Sequence, residues 1–123
     1  MTANEEKLSF GSFTASVDGK PFLVSNSVTF HDASSNYFLW GTNGNANSVY
    51  FCVHSSLESE TPEVVKHYTG ALEWTVFIND VSYPVVGGSA TVTIGKSRRD
   101  AHGTIDFKLE GGRVVTGNFD IKR

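Results

Sequence analysis

Four histidines and one cysteine are the residues best suited to metal or nucleophilic chemistry: His31, His54, His67, His102 and Cys52. Imidazole is the commonest metal ligand, so convergence of the four histidines would make a metal site. Glu63 and His67 stand four apart, a spacing that shares one face of a helix. Cys52 and His54 stand two apart and share one face of a strand, which places a thiol beside a potential base. Neither pair forms a metal motif such as H-E-x-x-H, and the four histidines are scattered, so the expectation is no metal and no cofactor.

Paired carboxylates serve glycoside hydrolysis. Glu58, Glu60 and Glu63 cluster in one irregular segment, and Asp106 and Asp120 fall at outward positions of neighbouring strands. Solvated surface acids account for both sets. There is no G-x-S-x-G elbow and no glycine-rich loop between a strand and a helix. The basic run Lys96-Ser97-Arg98-Arg99 is followed by Asp100 and reads as a solvated loop. The net charge of −3 opposes nucleic-acid binding, which needs a basic excess to neutralise phosphates. No catalytic set emerges, and the chain reads as a non-enzyme.

The aromatics carry more. Nine Phe, four Tyr and two Trp make 12% of the chain. Tyr37, Trp40, Tyr50, Phe77 and Tyr83 crowd a single core face, so some of them are candidates for an outer surface. Exposed aromatic rings anchor partners because each buries much area at little entropy cost. We nominate Trp40, Tyr50 and Tyr68 as contact residues, with 41–47 and 55–70 as the contact regions, since irregular segments on a rigid sheet commonly carry function.

The elements that must position these residues are strands. Apolar and polar residues alternate with period two, the mark of a half-buried strand. Phe13, Ala15 and Val17 face inward, and Asp18-Gly19 turns the chain. Val24, Asn26, Val28 and Phe30 are read on one face of a single strand. Tyr37-Phe38-Leu39-Trp40 is apolar on both faces and is expected to be covered on both. Val49, Phe51 and Val53 alternate next. Thr61-Pro62-Glu63 resembles a helix start, so one short helix near 62–68 is expected. Leu72, Trp74, Val76 and Ile78 then face inward, and Asn79-Asp80 turns the chain. Val81, Tyr83 and Val85 form a strand that Pro84 marks as an edge. Gly87-Gly88 reads as another turn. The last three strands carry Ala90–Ile94, Ile105–Leu109 and Val115–Ile121.

The fold class is therefore all-β: an antiparallel meander of about eight or nine strands forming a sandwich or a closed barrel. The 123 residues make one domain, 8–123, behind a loose tail at 1–7. That size buries a core without disulfides, and a lone cysteine forms no intramolecular bridge. The N-terminus shows no signal-peptide pattern and no run spans a bilayer. The chain is expected to be soluble, either cytoplasmic or exported with its signal removed, as a monomer or a homodimer.

Phe13-Thr14-Ala15-Ser16-Val17-Asp18-Gly19-Lys20-Pro21-Phe22 resembles the opening of a family of small uncharacterised bacterial β-domains, "V-(D/N)-G-K-P-(W/F)". Ala90–Ile94, His102–Phe107 and Val115–Ile121 are similar to that family's "V-T-I … G-T-F-x-F … V-T-x-G-x-F" ending. The resemblance implies a fold and no catalytic residue. Such domains are commonly secreted or lipid-anchored, whereas this chain lacks the lipoprotein signal and its acylated cysteine. Two functions remain in view. The first is a non-enzymatic binding or interaction module, whose partner is a protein, a glycan or a small apolar ligand. The second is a lipocalin-like small barrel carrying an apolar ligand, with a metal-dependent enzyme as a further alternative.

Overall fold

A computed structural model describes residues 9–44, 46–67 and 74–123. The expected tail at 1–7 lies outside them. Ten strands run β1 (Phe10–Val17), β2 (Lys20–Ser25), β3 (Ser27–Asp32), β4 (Asn36–Asn43), β5 (Asn47–His54), β6 (Glu63–Lys66), β7 (Thr75–Ile78), β8 (Val81–Ile94), β9 (Asp100–Leu109) and β10 (Val114–Lys122). They pair antiparallel in the order β2-β1-β10-β9-β8-β7-β5-β4-β3, with β6 added on β8. No described helix is long and apolar enough to cross a membrane.

The two ends of that order are neighbours in the chain. β2 and β3 are separated only by Asn26, so one bent segment pairs with β1 at one end and β4 at the other. This nearly closes the sheet into a barrel. The buried Ser25 holds the bend: its hydroxyl donates to the Thr42 carbonyl and accepts the Ser27 N–H at 2.9 Å. The bend also swaps the inward phase. Leu23 and Ser25 are buried before it, Val28 and Phe30 after it, and Val24 is 69% exposed. The single-strand reading that placed Val24 inside fails because one residue spent in the bend reverses every face.

β8 supplies a second corner. Its 14 residues pair first with β7 and then with β9, with a register shift between Val85 and Gly87. Gly87-Gly88 is thus a bulge within one strand and not a turn between two. Gly88 has φ +93°, and a β-carbon there would strike the Asp106 carbonyl. Pro84 pairs with Thr75 of β7, just before the pairing with β9 begins at Val85. The Val85 N–H donates to the Trp74 carbonyl at 3.0 Å. By strand alternation, position 84 then needs no donor toward β7, where a proline is tolerated.

The helix expected near 62–68 is not formed in its described part. Residues Glu63–Lys66 are β6, paired with Ser89–Val92, and the His67 N–H donates to the Gly88 carbonyl at 3.0 Å. A short helix would leave that edge of β8 without partners, and buried backbone groups must be paired. Val64 and Val65 suit a strand better than a helix.

The Asp18-Gly19 and Asn79-Asp80 turns read from sequence are present. Asp18, Gly19, Asn79, Asp80, Gly111 and Gly112 all take positive φ, as tight hairpins need. Inside the barrel, Phe51 sits at the centre of an aromatic cluster. Its ring centroid lies 6.4 Å from Phe13, 5.8 Å from Trp74, 5.7 Å from Phe107 and 5.4 Å from Phe119.

Candidate functional site

The inward alternation of β4 and β5 fixes what those strands show outside. Tyr37, Leu39, Val49, Phe51 and Val53 are buried, so Phe38, Trp40, Thr42, Ser48 and Tyr50 project from the opposite face. Cross-strand register then gathers them. Trp40 pairs with Tyr50, Tyr50 with Thr75 and Thr75 with Pro84, which makes one row. Thr42, Ser48, Phe77 and Ser82 make the next row. The Trp40 and Tyr50 rings lie 5.5 Å apart at 33°, and Phe38 stands 5.9 Å from Tyr50. His31 ends this aromatic run, 6.2 Å from Phe38.

A groove of about 320 Å³ lies over these rows, lined by the rings of Trp40, Tyr50 and Phe77 and by Thr42, Ser48, Thr75 and Ser82. It is at the lower end of the size range of ligand sites, about 300–1,000 Å³. A hollow of about 170 Å³ shares Thr42, Ser48 and Phe77 and adds Gly44 and Asn47. Asn47 is held in place by the Asn79 N–H, which donates to its Oδ1 at 2.8 Å. Among the described residues, the hydroxyls of Thr42, Ser48, Thr75 and Ser82 have no hydrogen-bond partner within the protein. No lining side chain is charged at neutral pH.

Trp40 and Tyr50 are thus brought together, while Tyr68 lies outside the described residues. Both rings stand on strands and not on the loop between them. The expectation that Tyr37–Trp40 is covered on both sides is half met: Tyr37 and Leu39 are buried, whereas Phe38 and Trp40 are half-exposed on the outer face. Tyr83 turns inward and carries the Arg113 guanidinium 5.3 Å from its ring centroid. The nomination from sequence missed Phe77, which is 37% exposed. Its alternation with the buried Val76 and Ile78 was the available signal. Thr42, Ser48 and Ser82 carried none, because hydroxyl residues suit any solvent-facing strand.

The other candidates separate. Among the described residues, no three His, Cys, Asp or Glu side chains form a group able to hold a metal ion. Cys52 is buried and His54 exposed. Burial pushes the Cys52 thiol up from its ordinary value, opposed by a hydrogen bond from the Trp74 indole. A thiol held protonated is a poor nucleophile. Glu63 and His67 lie on and just after a strand, and the His67 ring contacts Trp74 at 5.4 Å. Asp120 pairs with His102, four residues along β9 from Asp106, which puts the two acids roughly 13 Å apart. That exceeds the spacing of about 5–9.5 Å that glycosidases use.

The basic run is only partly the solvated loop expected of it. Arg98 donates to the Ser55 carbonyl at 3.0 Å and the Leu57 carbonyl at 2.7 Å, tying the β8–β9 turn to the segment after β5. A second groove, about 470 Å³, crosses the outer face of β2, β1, β10 and β9. Thr14, Ser16, Thr104, Thr116 and Asn118 line it together with the apolar Pro21 and Val24, and no aromatic ring is among its lining residues. It therefore offers a ligand no stacking surface.

Comparison of the chain with protein-family models, with curated proteins and with solved structures found no match.

Proposed function

We propose that the protein is a non-enzymatic binding module that engages its partner through the outer face of β4, β5 and β7. The observation that carries this reading is the cross-strand pair Trp40–Tyr50, 5.5 Å apart in the lining of a groove. Large rings left half-exposed on a rigid sheet are the side chains best able to anchor a partner. Both stand on regular, paired strands, so little conformational freedom is lost when a partner lands on them.

The alternative, an apolar ligand inside the barrel, draws its support from the near-closure of the sheet. It is the weaker reading, because the Phe51 cluster occupies the interior where such a ligand would sit.

A thermal-shift screen against soluble glycans, peptides and apolar small molecules separates the two. The expected result is a ligand that stabilises the native protein and leaves Trp40→Ala unshifted. Stabilisation that survives Trp40→Ala and is lost on altering an interior residue such as Leu39→Ala would move the site inside the barrel.

A further inference from the structure

We infer that the Trp40–Tyr50–Phe77 groove takes a neutral glycan, with a sugar ring lying against its aromatic rings; this rests on reading that face as the binding surface. The lining combines two chemistries. Trp40, Tyr50 and Phe77 supply its aromatic part. A pyranose ring presents an apolar C–H face of similar size, and such a face packs on an aromatic ring by dispersion and by attraction of its C–H groups to the negative π face.

The rest of the lining is hydroxyls. Thr42, Ser48, Thr75 and Ser82 stand among the rings, and among the described residues none of their hydroxyls has a hydrogen-bond partner. Each is both donor and acceptor, which matches the equatorial hydroxyls around a sugar's edge. An all-apolar occupant would leave these four groups desolvated and unpaired, at a cost of about 1–3 kcal/mol for each one fully buried.

Charge narrows the choice further. No lining side chain is charged at neutral pH. An acidic saccharide or a charged peptide would bring its charge to a site without a counter-ion, and a neutral polyhydroxyl ligand would not. The adjoining hollow shares Thr42, Ser48 and Phe77 and adds Asn47. The path therefore continues past one ring, which favours an oligosaccharide over a single sugar.

The test uses the full chain and four neutral probes (cellohexaose, maltohexaose, xylohexaose and mannohexaose), with an acidic oligogalacturonate as comparison. Binding is read by calorimetry and by tryptophan fluorescence. Of the two tryptophans, Trp74 is buried at 2% exposure, so Trp40 is the reporter. At least one neutral probe is expected to bind. Its affinity is expected to fall about tenfold or more in Trp40→Ala, and about threefold in Ser48→Ala. His102→Ala, on the outer side of β9 and outside the groove, is expected to change it less than about twofold. Raising salt is expected to leave it unchanged, because neither partner is charged. Trp40→Leu serves if Trp40→Ala does not fold.

The glycan inference is overturned if no neutral probe saturates below about 10 mM, if only the acidic probe binds, or if Trp40→Ala binds as the native chain does. A peptide or apolar molecule whose binding Trp40→Ala abolishes also overturns it, while upholding the parent reading of the face.

Discussion

The Phe13 side chain occupies the space that a β-carbon on Gly41 would fill: its Cβ would lie 2.6 Å from that atom. Gly41 points inward on β4 beside the outward Trp40, so the packing of one residue bears on the placement of the next. Gly41→Ala is expected to destabilise the fold by about 1–3 kcal/mol through overpacking. Urea unfolding measures that loss. A loss of affinity beyond the stability effect would show that the Trp40 ring has moved with the backbone.

The inward ring of β5 and the outward ring of β4 carry opposite duties. Phe51 touches Phe13, Trp74, Phe107 and Phe119 and is fully buried. Phe51→Ala is expected to cost about 3–5 kcal/mol. Trp40 lies outside and exchanges only surface contacts with Tyr50, so Trp40→Ala is expected to cost about 0.5–1.5 kcal/mol. Comparison of the two urea midpoints checks the assignment. Equal costs would mean that Trp40 belongs to the core.

Ser25 joins the two ends of the strand order by bonding both the Thr42 carbonyl and the Ser27 N–H. Ser25→Ala removes both of these part-buried bonds, at an expected cost of about 0.5–1.5 kcal/mol for each. Amide exchange is expected to quicken first at Ser27 and in the pairing of β3 with β4. Uniform quickening across all strands would show that the bend unfolds only with the whole barrel.

Cys52 gives a pH signature. Its thiol is raised by burial in the folded state, so the native chain holds that proton to higher pH than the unfolded chain does. Its share of stability is intact below the ordinary thiol value of about 9 and is lost as pH rises through the folded value. The difference in urea midpoint between the native chain and Cys52→Ala is expected to be flat from pH 6 to 8, taken as roughly the range below thiol ionisation, and to shrink above it. At pH 8, thiol reagents are expected to react slowly with the folded protein and quickly in urea.

Strand content and most hairpins were legible in the sequence because their causes are local. Alternation sets the inward residues of β1, β4, β5, β7, β9 and β10, and positive-φ turn residues set Asp18-Gly19 and Asn79-Asp80. Trp40 and Tyr50 were legible as surplus aromatics for the same reason. What depends on distant partners was not. Residues 63–66 carry helix-start chemistry, yet the open edge of β8 at Ser89–Val92 draws them into a strand. Gly87-Gly88 reads as a turn, yet β9 pairs on both sides of it and makes it a bulge. The phase reversal at Asn26 exists only because one segment must serve both ends of the sheet. Only tertiary register could seat Trp40 beside Tyr50 and bring Phe77 and four hydroxyls around them, since neighbours across strands are set by pairing and not by spacing along the chain.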